Sequence, residues 1–190
     1  VARADNLYEL PAGLPVPRDD GACRHLPGRR LPRLALASTG GRSVDLSALA
    51  GRTVLYCYPR TGRPDEAPPP GWNEIPGARG CTPQSCAFRD HYLELKRAGA
   101  ARVFGLSTQD SAYQREAAER LGLPFELLSD EKLEFARALQ MPTFEVAGMT
   151  LIKRLTLIVR AGRIEHVFYP VFPPEHNARA VLAWLRGAGT

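Results

Sequence analysis

The 190-residue chain has three lysines against twenty-two arginines, no Cys-x-x-Cys pair, no internal repeat and no long uninterrupted apolar run. A membrane-spanning helix needs roughly 18 or more apolar residues in a row, so none is expected and a soluble domain is. The opening stretch VARADNLYEL has no basic segment followed by an apolar one. That argues against a secretory leader and makes the cytoplasm the expected compartment. In that compartment the four cysteines, at positions 23, 57, 81 and 86, do not read as a structural disulfide framework. The four histidines, His25, His91, His166 and His176, are scattered, and no second paired set accompanies Cys81 and Cys86, so a zinc site is not expected.

At 20.8 kDa the chain suits one domain, or one domain with a tail, and excludes a fusion of two enzymes. Apolar residues at 44% and charged residues at 24% are ordinary globular values. The net charge of +5 (25 basic minus 20 acidic) is spread along the chain. Its densest cluster, Arg29, Arg30 and Arg33, has no interleaved aromatics of the kind that line a nucleic-acid groove, and reads as solvated surface.

Residues 1–30 are rich in Pro, Gly and Arg and lack periodicity, so they are expected to lie as an arm on a domain spanning 31–190. Leu31 to Ala37 and Ser43 to Leu46 flank Thr39-Gly40-Gly41 as a hairpin. Thr53 to Tyr58 reads as a buried strand. Pro59 to Gly80 is a long loop with five prolines by Pro70, and loops of that length in compact domains are usually functional or mobile. Pro83 to Ala98 reads as a helix, Arg102 to Ser107 as a strand, Asp110 to Leu121 as a helix, Phe125 to Leu128 as a strand and Glu131 to Leu139 as a short helix. Thr150 to Val159 and Arg163 to Tyr169 form a second hairpin, and Pro174 to Arg186 closes the chain as an amphipathic helix, with Trp184 on its core face and Pro173-Pro174 and His176 at its start. Strand–helix alternation followed by a hairpin and a terminal helix predicts an α/β protein of thioredoxin-like layout, a mixed central sheet with helices on both faces.

Cys81 precedes Pro83 at the start of a helix. Unsatisfied backbone N–H groups and the helix dipole favour an anion there, which makes Cys81 the candidate nucleophile. Arg79, Arg89 and, if the sheet brings it round, Arg154 add positive charge. Cys86 lies five residues on, roughly 8 Å away along an unbroken helix, whereas a disulfide needs Cα atoms within about 7 Å. A bridge between them therefore requires the first turns to unwind, and Pro83 and Ser85 are weak helix formers. The plainer reading makes both cysteines small buried hydrophobes, as free cysteines usually are. Cys57, inside an apolar strand, takes that reading, and Cys23 reads as an uninvolved thiol with a second resolving role as the alternative.

The segment GCTPQSCAFRD, residues 80–90, resembles the active-site helix of the peroxiredoxins, in particular the peroxiredoxin Q or bacterioferritin comigratory protein subgroup. Ser43-Val44-Asp45-Leu46, Tyr58-Pro59, Gly105-Leu106-Ser107, Leu123-Pro124-Phe125 and Arg154-Leu155-Thr156-Leu157-Ile158 continue the resemblance in order, over about residues 30 to 187. It implies a thiol peroxidase acting on hydrogen peroxide and organic hydroperoxides, with Cys81 as the peroxidatic thiolate that becomes a sulfenic acid. It also implies that Cys86 condenses with Cys81 to an intramolecular disulfide, reduced by a thioredoxin-type donor. Arg154 matches the arginine that favours the thiolate and stabilises charge on the peroxide, and Gln84 the residue that orients it. No metal or organic cofactor is implied, and members with an intramolecular disulfide are often monomers. The chain departs from the pattern where a Pro seven residues before the cysteine and a Thr or Ser three before it are usual. Glu74 and Ala78 stand there, and about fifteen residues are inserted after Tyr58-Pro59-Arg60-Thr61. Either Thr61 supplies the hydroxyl with the insertion looped out, which is the expectation, or a backbone group substitutes. Trp72 in the insertion reads as an apolar lid or as the anchor of a surface loop. The rival readings are a thiol–disulfide exchange protein and a redox sensor without turnover on the same fold.

Overall fold

The computed structural model describes residues 5–188, so the first four residues of the predicted arm and the last two of the predicted domain lie outside the description. In chain order the strands are β1 (Ala35–Ser38), β2 (Ser43–Asp45), β3 (Arg52–Cys57), β4 (Ala100–Ser107), β5 (Leu127–Ser129), β6 (Thr143–Val146), β7 (Met149–Ile152), β8 (Leu155–Arg160) and β9 (Arg163–Phe168). The helices are α1 (Cys81–Asp90), α2 (Tyr92–Arg97), α3 (Ser111–Leu121), α4 (Glu134–Leu139) and α5 (Asn177–Gly187). Seven strands form one mixed sheet in the order β2-β1-β5-β4-β3-β8-β9, and β6 pairs with β7 apart from it. β3, β4 and β5 run parallel, while β1 against β5, and β8 against β3 and β9, run antiparallel.

The apolar run of β3 follows from burial on both faces. Val54, Tyr56 and Tyr58 pack toward one cluster with Phe88 of α1, Leu95 of α2 and Val181, Leu182 and Leu185 of α5. The alternate residues Leu55 and Cys57 pack toward the other, with Phe135 and Leu139 of α4 and Leu26 and Leu31. Helices thus cover both faces, and the fold is the thioredoxin-like one. Residues 5–34 contain no helix or strand beyond a single bridge from Arg30 to Arg163, yet Leu7, Cys23, Leu26 and Leu31 are all buried.

Two elements differ from the sequence expectation. The helix predicted from Pro83 to Ala98 is two helices, with His91 between them at φ −93° and ψ 6°. α1 packs on α5 whereas α2 packs on β4 as well, so the chain redirects between them. The strand predicted from Thr150 to Val159 is also two. β7 pairs back on β6 through the left-handed turn Ala147-Gly148, and β8 joins the main sheet. The partner changes at Lys153 and Arg154, the charged pair that interrupts the apolar run. The β6–β7 hairpin packs against the long loop: Val146 and Leu151 form a small core with Trp72 and Ala78, joined by Phe144 and Met149.

Candidate active site

Cys81 opens α1 and is 4% exposed. The residue before it must be glycine. Gly80 has φ +104°, and a Cβ there would stand 2.5 Å from Pro174 and 2.8 Å from Leu10. The N–H groups of Cys81 and Thr82, in the first turn, have no acceptor within the helix, and Pro83 has no N–H to leave unpaired.

Arg154, 3% exposed, sits in the two-residue gap between β7 and β8. Its Nη2 donates to Cys81 Sγ at 3.1 Å and to the carbonyls of Ala78 at 3.0 Å and Arg79 at 3.2 Å. Its Nε donates to Gly77 O at 3.2 Å, and its Nη1 donates to Gln84 Oε1. The end of the inserted loop therefore presents three carbonyls in a row that fix the guanidinium against the sulfur. A fixed cation and hydrogen-bond donor thus lie directly on the sulfur.

Gln84 is fixed in turn. Its Nε2 donates to Asn177 Oδ1 at 3.0 Å, and Thr156 Oγ1 donates to the same oxygen at 2.6 Å. Asn177 and Thr156 were not singled out from sequence. The available signal is Thr156 two residues after Arg154 on a strand, hence on the same face, whereas nothing local marks Asn177 at the start of α5.

Thr61 is not brought to the site, contrary to the expectation drawn from Tyr58-Pro59-Arg60-Thr61. Its N and Oγ1 both donate to Gln109 Oε1, at 2.9 and 3.1 Å, and it is 1% exposed. Its neighbours Arg60 and Gly62 line the recess beside Cys81, and Thr61 between them turns away. Ala78, three residues before Cys81, carries no hydroxyl, and the side-chain hydroxyls that line the recess are those of Thr82 and Tyr113.

The recess beside Cys81 has a volume of about 30 Å³ and is walled by Leu7, Pro68, Pro69, Trp72, Thr82 and Tyr113. Trp72 is both things the sequence left open: it lines the recess, and it anchors the loop on Phe144 at 6.2 Å between ring centroids. Arg79 lines the recess too and is tied to the arm through an ion pair with Asp5 and a hydrogen bond to Asn6 O at 2.9 Å. Arg89 instead donates to Leu121 O and Asp90.

The remaining thiols differ in setting. Cys86, at the middle of α1, is partly buried, and burial raises its thiol above the ordinary value, with Arg89 opposing. Burial pushes Cys23 up to about 12, with Asp20 and Asp19 adding to it, and raises Cys57 well above its ordinary value. Both pack in the cluster on the sheet face opposite Cys81, so Cys23 has no path to it as a resolving thiol.

This arrangement, a cysteine opening a helix with a buried arginine on its sulfur, coincides with a match to the Redoxin family over residues 26–182. The chain is a redoxin of the peroxiredoxin Q group. It is 32% identical to peroxiredoxin Q of Gentiana triflora, over 96% of this chain and 79% of that protein. It is 35% identical to the rice (Oryza sativa subsp. japonica) peroxiredoxin Q over 84% of this chain, but spans only 66% of the rice protein's length. The solved structure of Xanthomonas campestris peroxiredoxin Q superposes with a TM-score of 0.66 at 26% identity, covering 84% of this chain and 96% of that one. In this chain the loop of residues 59–80 contributes Arg60, Gly62, Pro68, Pro69 and Trp72 to the wall of the recess beside the cysteine.

Proposed function

We propose that this chain is a thiol peroxidase. The observation that carries the reading is the hydrogen bond from Arg154 to Cys81 Sγ at the start of α1, with Gln84 holding the arginine. The Cys81 thiolate attacks one oxygen of a hydroperoxide. The O–O bond breaks, the sulfur takes the attacked oxygen as a sulfenic acid, and the other oxygen leaves and is protonated to water or an alcohol. Arg154 and the free N–H groups of the first turn lie where charge spreads over sulfur and oxygen in the transition state.

Cys86 then attacks the Cys81 sulfur, releasing water and forming a disulfide, which a thioredoxin-type dithiol reduces by exchange. α1 is continuous from Cys81 to Asp90 and both cysteines are free, so this step requires its first turns to open. Both sulfurs belong to one helix of one chain, which supports action as a monomer. Four unpaired cysteines suit a reducing compartment, which supports the cytoplasm.

The test is peroxide consumption by the full chain with thioredoxin and its reductase. Many turnovers per chain are expected, none with Cys81→Ser, and a single oxidation that stops with Cys86→Ser. Retained turnover in Cys81→Ser overturns the nucleophile assignment. One oxidation without recycling in the unaltered chain favours a sensor, and reduction of protein disulfides without peroxide consumption an exchange protein.

A further inference from the structure

We propose that the Thr82 hydroxyl is a catalytic donor, holding the oxygen that leaves as the peroxide O–O bond breaks. The proposal rests on the peroxidase reading and adds one residue to its site.

The reaction sets the demand. The Cys81 sulfur gives an electron pair to the proton-bearing oxygen of the hydroperoxide, which stays on the sulfur as the sulfenic acid. The electron pair of the O–O bond departs on the second oxygen, as hydroxide or alkoxide, which then takes a proton from water. A hydrogen-bond donor already in place at that oxygen lowers the barrier, because the charge there grows only as the bond breaks.

Most side-chain donors around the recess are committed elsewhere. Arg154 serves Cys81 Sγ, Gln84 Oε1 and the carbonyls of Gly77, Ala78 and Arg79. Arg79 pairs with Asp5 and donates to Asn6 O. Arg60 donates to Met149 Sδ at 3.4 Å and to Tyr113 Oη at 3.2 Å, and Tyr113 Oη gives its own hydrogen to Glu66 Oε2 at 2.8 Å. Among the described residues, two side-chain donors lining the recess make no hydrogen bond, the Thr82 hydroxyl and the Trp72 indole N–H.

Thr82 is the better placed of the two. It follows Cys81 directly in α1, so their Cα atoms lie about 3.8 Å apart. Its main-chain N–H also lacks an acceptor within the helix, so one residue brings two donors to the positive end of α1, where an anion is favoured. Trp72 belongs instead to the loop, its ring held in the small core with Ala78, Val146 and Leu151 and against Phe144. Thr82 is 2% exposed. Buried hydroxyls ordinarily have partners, so one that lines the nucleophile's recess without any is available to a ligand oxygen.

The experiment measures two reactions of Cys81 in the full chain and in Thr82→Val, Thr82→Ser and Trp72→Phe: oxidation by hydrogen peroxide, followed by stopped flow, and alkylation by iodoacetamide, read from the mass of the Cys81 peptide. Both use the same sulfur, but in alkylation no oxygen leaves. Thr82→Val is expected to slow oxidation by about tenfold to a hundredfold while alkylation keeps its rate, and Thr82→Ser, which restores the hydroxyl, to recover most of the oxidation rate. Thr82→Ala takes the place of Thr82→Val should the latter not fold. Equal losses in both reactions would mean that Thr82 acts on the setting of the sulfur, and would overturn the proposal. So would oxidation within about twofold of the unaltered rate in a folded chain without the hydroxyl, a rate too small a change for a lost transition-state donor. A loss in Trp72→Phe with none in Thr82→Val overturns it in favour of the indole. Failure of the unaltered chain to be oxidised at Cys81 while alkylation proceeds defeats the peroxidase reading itself.

Discussion

Gln84 Nε2 donates to Asn177 Oδ1 across 3.0 Å, with both side chains buried, so the residue that orients Arg154 is itself positioned from the first residue of α5. Because Thr156 donates to the same oxygen, one amide carbonyl joins the helix that carries the cysteine, the strand that follows the arginine and the terminal helix.

Removing that carbonyl tests its role. Asn177→Ala leaves the Gln84 amide and the Thr156 hydroxyl buried without their acceptor, at a cost of about 1–3 kcal/mol for each unsatisfied group. With Gln84 freed, Arg154 loses part of its alignment on Cys81, and sulfenic acid formation is expected to slow by about tenfold, roughly 1.4 kcal/mol of the barrier. Asn177→Asp keeps the acceptor, so it should recover much of the rate even where its melting temperature stays low. Stopped-flow oxidation beside thermal unfolding separates the two effects; equal rate losses in both variants would mean that Asn177 acts only on stability.

Thr61→Val is expected to leave peroxide oxidation of Cys81 within about twofold of the unaltered rate. Its hydroxyl is spent on Gln109 rather than on the recess. The loss of that buried hydrogen bond should appear as about 1 kcal/mol of stability in urea unfolding. A tenfold slower oxidation in a folded protein would put the hydroxyl back at the peroxide.

What was legible in the sequence follows from how local each signal is. Cys81 announces itself because glycine, proline and cysteine mark a helix start within a few residues, and the mixed sheet with helices on both faces follows from strand–helix alternation and a closing hairpin. Asn177 is silent because its role depends on a contact with Gln84 from far along the chain. The β6–β7 hairpin was missed for a related reason. Thr150 to Val159 is a β-prone stretch interrupted by Lys153 and Arg154, and the tertiary switch of partner falls at that charged pair, a division that also releases Arg154 from strand pairing to reach the sulfur. The place of Thr61 is not legible because some twenty residues of loop lie between it and Cys81, and its partner, Gln109, comes from far along the chain.

Acid lability is expected to start at the arm. Asp20 accepts from Lys153 Nζ at 3.0 Å and from Tyr169 Oη at 2.8 Å. These hydrogen bonds, that from Lys153 foremost, lower its carboxyl from 3.8 to about 2. A carboxyl lowered in the folded state stabilises the fold above its ordinary value, and that contribution is lost as pH falls from near 4 through 2. The unaltered chain should therefore exceed Asp20→Asn in stability at neutral pH, with the gap closing over that window. Because the carboxylate is nearly half exposed, added salt should narrow the gap as well. Urea titrations across the window decide, and a gap independent of pH would remove the ion pair from the account.

The resolving step is expected to be limited by opening α1, and the contact that resists opening is between Tyr56 and Ser85, hydroxyl to hydroxyl at 3.0 Å. Gly105 makes this contact possible, since a Cβ there would stand 2.8 Å from the Tyr56 hydroxyl. Tyr56→Phe keeps the ring, which stacks on Phe88 at 4.5 Å, and leaves the Ser85 hydroxyl unpaired only while α1 is closed. A hydrogen bond of this kind contributes about 1 kcal/mol, so disulfide formation after the first oxidation should quicken about fivefold. The step should also quicken with rising pH. Burial raises the Cys86 thiol in the closed helix, and opening returns it toward its ordinary value near 8.5, so ionisation favours the open form. The pH midpoint should accordingly lie near that of an exposed thiol. Rapid-mixing measurements of the Cys81–Cys86 disulfide across pH 6 to 10 would show both effects, and a rate unchanged by Tyr56→Phe and by pH would place the limiting event outside α1.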